Sequence, residues 1–373
     1  MNLVLDARFW RRETGGISRY SRELLAGLLA LGTDDTFQVV LTPADAAEFA
    51  VVDPRVTARV VPIGHYSLAE QLKLPGVLRS LQPDLVHFLN FNQPLLYAGP
   101  RVTTIHDLTV KKFPEGRSQT SWIRHQAFQF TMRQAARSDA VIAISEATKR
   151  DILAEYPVNP TQVHVVYEGA DARFHPYDDR VLATFRTRLG LTKPYILFVS
   201  QWRPHKGLPE LVSAFAAFKA ATNLPHVLVV TGKPSSDFPE ILNAIDQSPV
   251  RADIITPGFV DDADMPHLYA AADCFVLPSH YEGFGLPVLE ALQSGTPVIC
   301  TDVGSLPEVG GDAPVYVPVG QPAVLGDALT RVLGSERQRV EMSAAGRAQA
   351  AKFSWQQAAE ATHSIYQTLT VAR

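Results

Sequence analysis

Cysteine is nearly missing from this 373-residue chain: only Cys274 and Cys300 occur. Both lie inside apolar, strand-like runs, so they read as small buried hydrophobes, and a disulfide or thiolate-metal framework is excluded. No apolar run approaches the roughly 18 residues of a membrane-spanning helix. The opening MNLVLDARFWRR has the pattern of a strand entering a polar loop. It lacks the order of a secretion signal, and the expectation is a cytoplasmic protein. Charge is sparse too, with 19% charged residues and a net charge of −4. Residues 1–190 carry 22 basic against 20 acidic side chains, a charge of +2, which leaves −6 for the remainder. That offset is too small to argue for nucleic acid as a partner. Also missing are a G-x-G-x-x-G fingerprint, a clustered Asp-x-Asp, any suitably placed histidine ligand set, internal repeats and low-complexity stretches. No metal site is expected.

What is present is alternation. A hydrophobic content of 46% over 373 residues suffices for two domains with separate cores. Short apolar runs at 2–5, 36–41, 59–63, 85–88, 102–105, 141–144 and 163–166 are separated by helical patterns. The second half repeats the theme at 195–200, 226–230, 253–256, 274–277, 297–301 and 315–317. Strands alternating with helices predict an α/β protein with two doubly wound, Rossmann-like parallel-sheet domains, whose ligands gather at the carboxyl ends of the strands. The charged, turn-rich stretch EGADARFHPYDDR marks a change of composition. The expected division is a domain over 1–172, a linker over 173–192 and a domain over 193–354, with a last helix from Trp355.

The most informative stretch is Phe275 to Val298, FVLPSHYEGFGLPVLEALQSGTPV. It reads as strand, loop, helix, strand, with Pro287 placed for the first helical turn and Gly295 for the positive-φ residue after the helix. The helix start favours an anion, and phosphate is the obvious one. Glu282 in the loop and Glu290 eight residues on would repel phosphate, so if they line the same pocket they must hold neutral hydroxyls beside it. An anion with hydroxyls alongside describes a sugar nucleotide; two solvated surface glutamates are the competing reading.

HYEGFGLPVLEAL resembles the E-x7-E signature of retaining glycosyltransferases of family 4, which have the GT-B fold of two Rossmann-like domains facing a central cleft. The resemblance covers nearly the whole chain. It implies that Glu282, with the backbone at Phe284, Gly285 and Leu286, meets the hydroxyls and diphosphate of a nucleotide-sugar donor, and that Glu290 holds the ribose. TGGISRY is similar to the family's Gly-Gly loop, which gives Gly15 and Gly16 a role at the donor phosphates; a tight turn needing positive φ explains the glycines equally. His106-Asp107 resembles the family's His-Asp pair after a strand, with His106 near the sugar's 6-hydroxyl. His87 reads as structural. Gly258-Phe259-Val260 is similar to the strand end whose backbone, at Gly258 and Val260, reads the base. Asp302 to Glu308 resembles a loop that shapes the cleft, and the helix 355–373 resembles one that packs back on the N-terminal domain.

A departing diphosphate needs fixed positive charge. FVSQWRPHKGL supplies Lys206 and Arg203. The family places an arginine five or six residues before this lysine, where Ser200 and Gln201 stand here, so Arg203 must reach the diphosphate from a shifted place or point to solvent. Asn90 and Asn92, in a loop after a strand, are acceptor-side candidates. Arg117, Arg124, Arg133 and Arg137, interleaved with Trp122, Phe128 and Phe130, make either a membrane-surface face or a solvated helix packing Trp122 and Phe128 inward. The implied activity is retaining transfer of a hexose to a glycan or lipid-linked acceptor hydroxyl. No cofactor is expected, GDP-mannose is the first donor expected and a UDP-hexose the second. A sugar-nucleotide epimerase, a phosphorylase of similar architecture and a nucleotide-binding protein without turnover remain as rivals.

Overall fold

The computed structural model describes residues 1–12, 15–113, 122–258 and 260–371. The chain divides into two compact units. The first comprises Met1–Lys111, Ser121–Gly169 and Ser354–Arg373; the second comprises Lys112–Thr120 and Ala170–Phe353.

The first unit is built on a seven-stranded sheet of order β3-β2-β1-β4-β5-β6-β7. Its strands are β1 (Asn2–Asp6), β2 (Thr36–Leu41), β3 (Val56–Val60), β4 (Leu85–Phe88), β5 (Arg101–Ile105), β6 (Ala140–Ala143) and β7 (Val163–Val165). Every pairing is parallel. The inner strands read as unbroken apolar runs because helices cover both faces. Val4, Val40, Val86 and Phe88 pack with Leu74 and Leu78 in one core cluster, and Ile105, Val141 and Ala143 pack with Met132 and Ile152 in another. The third strand lies three residues earlier than the apolar run at 59–63 predicts. β3 is an edge strand and almost wholly exposed, so hydrophobicity does not mark it, whereas Val61 and Ile63 beyond it are buried.

The second unit holds a six-stranded parallel sheet of order β10-β9-β8-β11-β12-β13. Its strands are β8 (Tyr195–Val199), β9 (Val227–Thr231), β10 (Ile254–Gly258), β11 (Cys274–Leu277), β12 (Val298–Thr301) and β13 (Val315–Val317). Cys274 and Cys300 are buried and free. The charged stretch 173–192 carries a helix, Asp179–Arg188, which belongs to this unit. Two of its bases are paired within the unit, in Arg188–Asp264 and, just ahead of the helix, Arg173–Asp262.

Each sheet reverses its winding direction once, between β1 and β4 in the first and between β8 and β11 in the second. In open α/β sheets the crevice at such a point, beyond the strands' carboxyl ends, is where ligands bind. Among the described residues no helix is long and apolar enough to cross a membrane.

Candidate functional site

At the β8/β11 reversal the chain leaves β8 through Ser200–Arg203, makes a short turn at Pro204–Lys206, and passes Gly207 at φ +69° into the helix Leu208–Ala221. A Cβ on Gly207 would sit 2.2 Å from the carbonyl oxygen of Pro278, just past β11, so the two loops touch backbone to backbone. Only glycine allows both the dihedral and the approach. The amide of His280 donates to the His205 carbonyl at 2.7 Å and seals the contact.

That contact brings together the two charges singled out from the sequence. Lys206 Nζ lies 2.8 Å from Glu282 Oε1, and Ser279 Oγ donates to the same oxygen at 2.7 Å. The Glu282 side chain is 8% exposed and that of Lys206 20%, so the pair sits at a rim between core and solvent. The Glu282 backbone is fixed as well. Its carbonyl accepts from the Ser305 amide at 3.3 Å and the Ser305 hydroxyl at 3.2 Å, and a Cβ on Gly304 would lie 2.4 Å from that carbonyl oxygen. The 302–308 loop therefore buttresses Glu282.

Gly285, at φ +95°, opens the helix Leu286–Gln293, with Pro287 in its first turn and Gly295 following at φ +77°. Glu290 falls in the second turn, because the helix starts directly after Gly285. It is 4% exposed. Phe284 is buried edge-on against Phe353, with ring centres 5.9 Å apart, while Leu286 is half-buried. Neither glutamate is the solvated surface residue of the competing reading.

Arg203 is half-buried, with its guanidinium carbon 5.9 Å from the Phe238 ring centre and its Nε 3.4 Å from Gln201 Oε1. Gly258 ends β10 at φ +77°, and Val260 is half-exposed; Phe259 between them lies outside the described residues. Phe113, which belongs to this unit, lies with its ring centre 6.0 Å from both His205 and Tyr281, the neighbours of Lys206 and Glu282.

In the first unit, Gly15 has φ +66° and Gly16 begins the helix Gly16–Ala30; Thr14 before them lies outside the described residues. His106 follows β5. Its Nε2 lies 2.9 Å from the Leu89 carbonyl, its Nδ1 3.5 Å from Glu168 Oε1, and the Tyr20 ring meets it edge-on at 4.8 Å. Burial alone lowers a histidine pKa, but here Glu168, the Leu89 carbonyl and Asp107 outweigh it and raise that of His106. His87 does the opposite. It is enclosed between Tyr366 and Thr104, and burial, with the charge of His106 nearby, pushes its pKa down to about 3. It is structural, as read.

Family models match both halves of the chain: "Glycosyltransferase Family 4" over residues 14–174 and "Glycosyl transferases group 1" over 182–349. A D-inositol 3-phosphate glycosyltransferase of Jonesia denitrificans is 30% identical over 402 residues, spanning 96% of this chain and 92% of its own. The chain is a family 4 glycosyltransferase. An O-antigen chain mannosyltransferase B of Escherichia coli is 26% identical over 306 residues, covering 82% of the chain and 79% of the relative. Anabaena HepE, solved in complex with UDP and glucose, superposes with a TM-score of 0.77 at 18% identity over 99% of this chain and all of that one. The likeness shows that the two parallel-sheet units are those of the GT-B fold.

Around its first-sheet reversal the transferase holds a network that its sequence does not announce. Arg8, 1% exposed, bonds Asp6 through Nε at 2.7 Å and through Nη2 at 2.8 Å, and reaches Glu70 Oε1 at 2.6 Å. Asn92 Nδ2 donates to the same Glu70 oxygen at 2.7 Å. Burial raises the Glu70 pKa against the pull of Arg8, and the two carboxylates hold the Arg8 pKa up against burial. Asn92, expected at the acceptor, is thus tied into this network, and Asn90 Oδ1 accepts from the Phe91 amide at 2.7 Å. Both asparagines are buried.

Of the basic face, Arg117 lies outside the described residues, as do the side chains of Trp122 and Arg124. Phe128 turns inward onto Phe91 at 5.1 Å, Phe130 is 51% exposed, and Arg133 and Arg137 are exposed. Ser279, Ser305, Arg8, Glu70 and Glu168 are the functional or supporting residues that sequence reasoning missed. Ser279 carried a signal, as a hydroxyl between a buried strand and the motif glutamate, and Ser305 lies within the 302–308 loop that the sequence singles out.

Proposed function

We propose that this glycosyltransferase moves a hexose from a nucleoside-diphosphate sugar to a hydroxyl of a glycan or lipid-linked acceptor, with retention of configuration at the anomeric carbon. The observation that carries the reading is the Lys206–Glu282 pair held at the β8/β11 reversal, beside a helix start and the buried Glu290. Lys206 supplies positive charge where a diphosphate departs, Glu282 takes sugar hydroxyls and Glu290 takes the ribose. A Lys206 ammonium already balanced by Glu282 can stay partly buried before the donor arrives. The backbone at Phe284, Gly285 and Leu286 offers helix-start N–H groups to the phosphates. Gly258 and Val260 read the base, Gly15 and Gly16 serve the phosphates, and His106 meets the sugar.

In this mechanism the acceptor hydroxyl attacks the anomeric carbon from the face the diphosphate leaves. The bond from that carbon to the phosphate oxygen breaks, the bond to the acceptor oxygen forms, and the acceptor's proton passes to the departing phosphate oxygen. No side chain serves as nucleophile, and the charge that grows on the diphosphate is met by Lys206. Removing one such preorganised group from a transfer site costs about 2.7–4 kcal/mol of barrier.

GDP-mannose is the first donor we propose, supported by the O-antigen mannosyltransferase relative, and a UDP-hexose the second, supported by the UDP complex of HepE. Thermal-shift titration with GDP, UDP and their sugar conjugates tests this, because a ligand bound only by the native state raises Tm. The expected result is stabilisation by one nucleotide family, followed by NMR of the product showing the donor's anomeric configuration. Stabilisation by none, an inverted product, an epimer formed from donor alone, or activity abolished by a chelator would overturn the corresponding part of the reading.

A further inference from the structure

We propose that Glu168 is a positioning residue for the transfer: its buried carboxylate pairs with Nδ1 of His106 while the Leu89 carbonyl accepts from Nε2, so that His106 works as an imidazolium fixed in one orientation. A neutral imidazole has one N–H and one lone pair, whereas a ring facing an acceptor at both nitrogens needs two N–H groups. The structure presents acceptors at both, Leu89 O at 2.9 Å and Glu168 Oε1 at 3.5 Å. Glu168 is 3% exposed, and a carboxylate buried to that degree needs a cation beside it. Among the described residues, His106 is the group that lies within ion-pair distance of it.

The other elements packed around His106 leave that charge in place. The Tyr20 ring is neutral, with burial holding its hydroxyl proton on, and the hydroxyl bonds Thr104 at 2.8 Å. His87 is kept neutral by burial and by the charge on His106. Asp107, next along the chain, adds to the attraction, and Thr148 Oγ1 donates to the His106 carbonyl at 3.1 Å, which fixes the backbone.

A ring that donates from both nitrogens has no lone pair with which to take a proton. His106 therefore acts through fixed charge and orientation and not as a general base. Its charge is fully present below the ordinary histidine range and is lost as pH rises through the raised value, so activity fails on the alkaline side.

The inference rests on the proposed function for His106, and its test separates the two. Histidine side-chain nitrogens of the full-length protein, labelled with ¹⁵N and assigned with the His106→Asn variant, are titrated without substrate. The expected signal is a doubly protonated ring at about pH 7 that loses its proton above the ordinary value of about 6.5. The Glu168→Gln variant should move that titration, and the alkaline limb of kcat/KM, downward by about one pH unit or more, roughly tenfold in the protonation equilibrium; Glu168→Asp should restore part of the shift. A neutral His106 ring at about pH 7, or a Glu168→Gln enzyme with an unmoved alkaline limb, would overturn the pairing. The wild-type titration decides even where Glu168→Gln does not fold. A protein with the expected titration but no glycosyl transfer would keep the pairing and sink the function.

Discussion

The two sheets end differently at their points of reversal. At β1/β4 the polar groups are tied to one another inside the core: Arg8 is shared between Asp6 and Glu70, and Asn92 donates to Glu70 as well. At β8/β11 the Lys206–Glu282 pair stays at the rim, and its precision comes from backbone, through Gly207 against Pro278 and Ser305 on Glu282. The first arrangement is a buried floor. The second is a charge pair that a ligand can take over. A buried ion network holds only if every member remains, whereas a rim pair can exchange partners with little loss.

The sharpest way to break this contrast is Arg8→Met, which strands two buried carboxylates. We expect the first unit to lose about 3–5 kcal/mol, read by urea unfolding, with activity falling only as folded protein falls. A smaller loss than that of an average core substitution would show the network to be dispensable. Next comes Lys206→Met, expected to reduce kcat by about 10²–10³-fold with little change in unfolding midpoint, measured by steady-state transfer assays. If stability fell and kcat did not, the rim pair would belong with the floor.

Glu290→Gln sharpens the comparison within the second unit. Its hydrogen bonds, of roughly 1.5–3 kcal/mol, should appear as a rise in donor KM with kcat largely spared. An unchanged donor KM would remove Glu290 from the ribose. The smallest effect belongs to Arg203→Gln. Loss of its approach to the Phe238 ring should cost about 0.5–1 kcal/mol of stability. A kcat loss as large as that of Lys206→Met would instead place Arg203 on the diphosphate.

The same contrast explains what could be read from the chain alone. The second site is local: Ser279, Glu282, Gly285 and Glu290 fall within twelve residues of one strand–loop–helix, so spacing and glycine chemistry are visible in sequence. Lys206 was legible because it follows a buried strand directly. The first floor is not local, since Arg8 meets a carboxylate 62 residues away and no periodicity links them. Glu168 likewise sits 62 positions beyond His106. The sheets were legible wherever strands are buried on both faces, and the edge strand β3, which water covers, was displaced by three residues for that reason. The stretch 173–192 reads as a linker because its acids and bases are dense; in the structure two of its bases, Arg173 and Arg188, pair with Asp262 and Asp264 of the second unit.

The final helix, Trp355–Val371, counts with the first unit, and its Tyr366 and His363 grip His87 and Asp35 from the far end of the sequence. A ribosome delivers these partners only after the entire second sheet has been made. Until then His87 has no hydroxyl for its Nδ1 and the opening half waits unfinished. Synthesis order and assembly order are therefore uncoupled: the unit that the ribosome begins before the second sheet is completed only after it.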